Sequence, residues 1–299
     1  MMETQPRGQR RPERCSVVYD VQLALRPNRS WEGMVPANKA QLMGWLKAMP
    51  YRKKRLAEMI ANIRYGSPEA AEEAFNAEVE KTAEHILQEV TWGFKSYGED
   101  SRLHADVRFK RTKMSKLFIG AGNILAALEE AAWRYEDNPG RKRFIKSRAW
   151  ITPGKVVLQR FQNGRWLFIT QPDGRSERNV PPEPPAPHNF FRAKPATIVF
   201  AEKVDYPCCL SFWLWTDPEI SGQDLSTWFT IAGERGLMRY RQMKQGQFDL
   251  DRLLLASPDT VRELLEKERE KEEAKARGVS VMEEENVQAL WTSFLARNQ

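Results

Sequence analysis

The sequence predicts an α+β chain built on an antiparallel sheet. Residues 15–26 and 209–215 alternate apolar and polar side chains with the two-residue period of a half-buried strand. Residues 123–135 and 222–235 repeat apolar side chains with the 3.6-residue period of a helix. With the intervening segments set aside, strands and helices follow one another as β-α-β-β-α-β.

The first strand places Val17, Tyr19, Val21, Leu23 and Leu25 on one face. Residues 37–49 read as a short helix with Leu42, Trp45, Leu46 and Met49 on one side, broken by Pro50. A second helix covers 51–65 and ends at Gly66. A third runs from Ser67-Pro68 to about Val90, its apolar face made by Phe75, Val79, Ala83, Ile86 and Val90 and its acidic opening matched to the positive end of the helix dipole. Residues 92–116 read as irregular or short-stranded. The helix at 123–135 follows, with Ile124, Leu128, Ala131 and Tyr135 on its apolar face, and Asn138-Pro139-Gly140 stops it. Residues 144–151 and 155–161 read as strands turned by Pro153-Gly154, and Asn163-Gly164 predicts a hairpin returning over 165–170. The proline-rich stretch 180–187 reads as an extended spacer. Strands at 196–203 and 209–215 precede a helix opened by a Ser221/Asp224 capping box, which stops near Gly233 or Gly236. A last strand lies at 247–253. The charged helix 257–277 reads as solvated, and a final helix at 283–295 carries Val287, Leu290, Trp291, Phe294 and Leu295.

The strand and helix order is that of a ferredoxin-like, RRM-type sheet with both helices on one face and the other face free to bind. The expected organisation is a basic arm at 1–14, a core at 15–256 with a helical insertion at 36–116, and a tail at 257–299.

Composition narrows the functional classes. The 299 residues carry 47 Lys+Arg against 40 Asp+Glu, a net charge of +7, which favours a polyanionic partner. With three Cys and three His, a disulfide scaffold and the usual zinc sites are excluded, and no cofactor or metal is expected. Unpaired cysteines and the want of a secretory signal or an 18-residue apolar run predict an intracellular, cytoplasmic chain off the membrane. There is no P-loop, G-x-S-x-G or H-E-x-x-H pattern, and His85, His104 and His188 are scattered, so an enzyme is the minority expectation.

The basic runs are the candidate binding residues: Arg52, Lys53, Lys54 and Arg55; Arg108, Lys110, Arg111, Lys113 and Lys116; Arg141, Arg143 and Lys146; and Arg235, Arg239, Arg241 and Lys244. If they share a groove, a single strand can be tracked along it. Glycines beside the last run allow backbone N–H groups to approach phosphates. Trp213 and Trp215 occupy the strand face opposite Leu210, Phe212 and Leu214. They are either a platform for bases or core residues buried under the inserted helices.

The run Asp224-Leu225, Ala232-Gly233-Glu234-Arg235-Gly236-Leu237, Arg239-Tyr240-Arg241, Gly246-Gln247-Phe248-Asp249-Leu250 resembles the C-terminal segment of the RAMP superfamily, the RRM-like backbone and processing subunits of CRISPR ribonucleoproteins, with similar chains in phage genomes. Phe118-Ile119-Gly120-Ala121-Gly122-Asn123-Ile124, Leu128 and Ala131-Ala132 resemble the family's entry into its first helix. The resemblance covers about half the chain. It implies a non-catalytic RNA or single-stranded nucleic-acid binder of antiviral defence, repeated beside other protein subunits. Two departures stand out: Leu237-Met238 falls where a second glycine is common, and no His lies nearby to serve RNA cleavage. A viral or phage assembly protein and an RNA endonuclease on the same fold are the alternatives.

Overall fold

The computed structural model describes residues 14–62, 65–91, 106–170, 179–180, 183–190, 197–238 and 246–276. The chain starts with β1 (Val17–Leu25), β2 (Ser30–Glu32) and β3 (Val35–Pro36), followed by helices α1 (Lys39–Ala48), α2 (Pro50–Ile60) and α3 (Pro68–Thr91). Short strands β4 (Val107–Arg108), β5 (Lys110–Arg111) and β6 (Leu117–Gly120) lead to α4 (Ala121–Glu136) and α5 (Gly140–Arg148). Next come β7 (Ala149–Thr152), β8 (Lys155–Gln162), β9 (Arg165–Ile169), β10 (Asn179–Val180), β11 (Glu183–Phe190), β12 (Thr197–Asp205) and β13 (Cys208–Thr216). The chain then forms α6 (Gly222–Arg235), β14 (Phe248–Leu255) and α7 (Pro258–Ala276).

The chain divides into two compact units. One joins Met1–Arg29, Ile119–Phe161 and Tyr206–Gln299; the other joins Ser30–Phe118 and Gln162–Asp205.

The first unit holds the expected α+β core. Its sheet runs β8-β13-β1-β14, with β7 also on β13, and every one of these pairs is antiparallel. In chain order the core is therefore β1, α4, β7/β8, β13, α6 and β14, the ferredoxin-like arrangement. Even-numbered residues of β13 face the helices: Phe212 meets Phe229 of α6 at 6.4 Å between ring centres. Val21, Leu23, Leu210, Phe212 and Leu214 fill this side against Leu225, Trp228 and Phe229 of α6, all buried. The buried α4 face is Ile124, Ala127, Leu128, Ala131 and Ala132, and α4 packs on both α5 and α6. Each fully buried Leu or Phe contributes about 1.5–3 kcal/mol. Ser221 opens α6: its Oγ accepts the Asp224 N–H at 3.1 Å and the Asp224 carboxylate accepts the Ser221 N–H at 3.3 Å, completing the predicted capping box.

The structure departs from the sequence expectation at several elements. Residues 140–148 form a helix, not the start of a strand. The Asn138 side chain accepts the Gly140 N–H at 2.9 Å, so Asn138-Pro139-Gly140 ends α4 and begins α5. β7 and β8 do not turn back at Pro153-Gly154. Ala149–Thr152 pairs with 213–216 and 158–160 with 208–210, so both run the same way along β13. The helix after Pro50 ends at Ile60 and not near 65.

The helix α7 is not solvated all round. Leu264 is buried and joins Cys15, Val18, Trp213 and Trp215 in one cluster, with Trp150, Ala256 and Val261 packed against it. The sheet face opposite α4 and α6 is therefore covered here by α7.

The second unit holds α1–α3, whose shared core includes Leu42, Leu46, Met59, Phe75, Val79 and Ala83. Its sheet runs β11-β12-β4-β3, with β2 on β12. The proline-rich stretch enters this sheet as β11, with Ala186–Phe190 antiparallel to Thr197–Ala201 after a register shift. Among the described residues β11 lies at the edge of this sheet, a position where prolines are tolerated because an outward N–H has no ladder bond to make. Gly33 donates its N–H to Glu202 C=O at 2.8 Å, and a Cβ at this position would collide with the Arg108 backbone. Residues 1–13 of the basic arm, 239–245 and 277–299 lie outside the described residues, as does the expected helix at 283–295.

Candidate nucleic-acid interface

The predicted basic runs separate by unit and by environment. In the first unit, α5 carries a cationic surface anchored by aromatic rings. The Arg141 guanidinium lies 4.5 Å from the Phe144 ring centre, and its Nε donates to Glu136. Arg148 also lies 4.5 Å from that centre and pairs with Asp217 at 3.3 Å and with Glu219. The Lys142 ammonium sits 4.1 Å from the Trp133 ring centre. These contacts hold three cations to the protein and orient the helix. Arg143 and Lys146 are exposed, and neither has an ion-pair partner among the described residues.

Arg235, in the last turn of α6, pairs with Glu130 at 3.2 Å and stays partly exposed. The chain then leaves α6 through Gly236, at φ 80°, and returns at Gly246, at φ 72°. Leu237 N–H donates to Gly246 C=O at 2.9 Å, forming a neck between α6 and β14. The predicted residues Arg239, Arg241 and Lys244 lie outside the described residues. Glycine is required at this neck, since a Cβ on Gly246 would collide with Leu237 O and one on Gly233 with Phe248 O.

Sequence reasoning missed the clamp that holds the neck. Arg26, at the end of β1, donates from Nε to Asp249 at 2.7 Å and from Nη2 to Glu234 at 2.8 Å. These hydrogen bonds, Glu234 first, raise its pKa above the ordinary arginine value. Gln247 accepts from Arg29 at 3.0 Å and donates to Glu234 C=O at 2.7 Å. No local signal marks this clamp, because the partners of Arg26 are more than 200 positions away in the chain.

In the second unit, most predicted cations are engaged within the protein. Arg52 is nearly buried, donating to Glu78 at 2.9 Å and Thr82 at 3.1 Å. Arg55 lies 3.9 Å from Glu78, and Lys54 lies 3.8 Å from Glu58. Lys53 is exposed. Arg108 is buried, and Lys110 pairs with Glu89 at 2.7 Å. Arg111 is fully buried; it donates to Glu202 and to the carbonyls of Val90 and Phe109, each at 3.0 Å. Lys113 is exposed, and Lys116 lies 4.1 Å from the Phe168 ring centre. Arg52 and Arg111 therefore act inside the fold, because burial places their guanidinium groups against protein acceptors, and Arg108 is likewise buried, out of reach of a phosphate.

Trp213 and Trp215 are each 1% exposed, and in this conformation neither offers a face to a base. The cover is α7, not the inserted helices. The same sheet face carries Asp20, paired with Arg252 at 2.9 Å and opposite Trp213 in register. Burial pushes the Asp20 carboxyl up to about 6, against the opposing pull of Arg252. Burial likewise pushes the Cys209 thiol well above its ordinary value, which makes it inert as a nucleophile. Among the described residues, no group of three or more His, Cys, Asp or Glu is placed to hold a metal, and no helix is long and apolar enough to cross a membrane.

No protein-family model matches the chain, and neither does any curated protein. Among solved structures it is similar to a chain in a cryo-EM structure of the Type III-B Cmr-beta bound to cognate target RNA, at 9% identity and TM-score 0.39. The match covers 81% of this chain and 61% of that one, so this chain spans about three fifths of that chain's length. The strand order, not this match, carries the fold assignment.

Proposed function

We propose that the chain is a non-catalytic protein that binds RNA or single-stranded nucleic acid, a RAMP-type backbone subunit of a CRISPR-type ribonucleoprotein repeated beside other protein subunits. The observation that carries this reading is α5. Its Arg143 and Lys146 project from a helix whose other cations are already anchored on rings and carboxylates. Unpaired cations suit a phosphate backbone, because no ion pair within the protein has to break before they engage it. The clamped glycine neck at Gly236 and Gly246 supports the same reading, since glycines let backbone N–H groups approach phosphates.

The test is fluorescence anisotropy of a labelled oligouridylate titrated with the protein over a range of salt. Binding that weakens linearly in log[salt], and weakens further in R143E/K146E, is expected. Absent or salt-independent binding would sink the reading.

A second reading, an assembly protein, is favoured by Leu254 and Leu255. They are 57% and 68% exposed at the end of β14, the edge strand of the first unit's sheet. It predicts association without nucleic acid that is lost in L254K/L255K, read by light scattering.

A further inference from the structure

We propose that β14 is an interface between two copies of this chain, the two strands pairing antiparallel about a two-fold axis between Asp251 and Arg252. The proposal rests on the assembly reading above and gives it a surface and a register.

Among the described residues β14 closes one end of the first unit's sheet, bonded to β1 on one side only. An open edge is ordinarily blunted by proline, lysine or brevity. This edge runs eight residues, FDLDRLLL, with neither proline nor lysine. Leu254 and Leu255 stand exposed on opposite faces of the strand, and Leu250 and Leu253 are half-buried.

The backbone bonds show which groups the edge offers. Ala256 N–H donates to Val18 C=O at 2.8 Å, and Arg26 N–H donates to Gln247 C=O at 3.1 Å. Even-numbered β1 residues therefore turn their backbone groups to β14, and their partners Asp249, Arg252 and Leu254 turn theirs to β1. Phe248, Leu250, Leu253 and Leu255, opposite the odd-numbered residues, turn N–H and C=O outward. Asp251 is the bulged residue, with no register partner on β1. The bulge thus spaces the outward residues symmetrically about the middle of the strand.

Run antiparallel against itself, β14 matches outward residue to outward residue. Phe248 of one copy meets Leu255 of the other, and Leu250 meets Leu253, each pair exchanging both backbone bonds. Leu250 and Leu253 share the face of Leu23 and Val21, so the apolar layer under α6 continues across the axis. At the axis the exposed Asp251 of each copy stands beside Arg252 of the other. Arg252 already holds Asp20 at 2.9 Å, and a guanidinium carries five N–H donors, enough for a second carboxylate. A slip by one residue either way sets Asp251 or Arg252 against its own copy and outward groups against inward ones.

The experiment uses the full chain, free of nucleic acid, in analytical ultracentrifugation, and the same chain as L250C and as L253C with oxidised glutathione as oxidant. A dimer is expected, bound about tenfold more weakly in D251K, where like charges meet at the axis. An equimolar mixture of L250C and L253C is expected to crosslink into dimers, and neither variant alone, since only the mixed pair stands opposite at the spacing a disulfide needs. The parent, whose Cys15, Cys208 and Cys209 are buried, is the control. Association of the parent with no crosslink in the mixture, or equal crosslinking by either variant alone, overturns this proposal and leaves the assembly reading standing. A monomer at every concentration overturns both. The crosslink reads the register in chains that keep Asp251, so it decides even where D251K fails to fold.

Discussion

At the scale of single residues, the same residue type takes opposite roles according to burial. Arg111 and Arg143 are both arginines in basic runs. Arg111 is sealed against Glu202, whose second carboxylate oxygen accepts the Phe109 N–H at 2.9 Å, and Arg143 faces water. E202A leaves a buried guanidinium without its carboxylate and is expected to cost about 3–5 kcal/mol, measured as the shift of the urea midpoint. Asp20 gives a pH dependence. Its folded pKa of about 6 lies above the ordinary 3.8, so between these values the folded chain holds a proton that the unfolded chain has released. Stability therefore falls as pH rises through that window and levels off above it, by on the order of 3 kcal/mol. D20N is expected to flatten this slope in urea titrations at pH 4 and pH 7; an unchanged slope would remove Asp20 as its source. Neither role is visible in the sequence, because the partners of Arg111 and Asp20 are distant along the chain.

At the scale of elements, local patterns that state their own boundaries were legible. The strands β1 and β13, the Ser221 cap of α6 and the Asn163-Gly164 turn, at φ 53° and 76°, form as the residues predict, but both strands are buried on both faces rather than half-buried, because helices cover each side of the sheet. The failures have a common cause. α5 holds a single fully buried side chain, Ile145, so its period was unreadable among the basic residues. The Pro153-Gly154 excursion interrupts a strand line without reversing it, which only the pairing with β13 reveals. For α7, one buried leucine in a charged helix does not announce a contact. Glycine roles follow the same division. G233A and G246A push a Cβ into backbone and are expected to lose about 1–3 kcal/mol in thermal melts, with added strain at Gly246 from its positive φ. G44A, in an α1 position with open space around it, is expected to gain about 0.5–1 kcal/mol. Melts in which all three behave alike would contradict the packing described.

At the scale of the whole molecule, charge is a weak guide until it is located. R143E/K146E changes the net charge by −4, from +7 to +3, and so does K47E/K81E at exposed lysines outside the candidate runs. Only the first pair is expected to lower the salt slope of oligouridylate binding, by about 1.4 for two phosphate contacts, at roughly 0.7 each on a single strand. Equal effects from both pairs would reduce the interaction to generic attraction. The sequence by itself determined the α+β class, the β-α-β-β-α-β order, the opening of α6 and the excess of positive charge, because each is carried by neighbours within a turn or a strand. Only the tertiary structure decided which cations are buried, what clamps the neck at Gly246, and that α7 roofs the tryptophans. Those outcomes depend on pairs of residues tens to hundreds of positions apart, whose meeting is set by the strand order and leaves no periodicity in the chain.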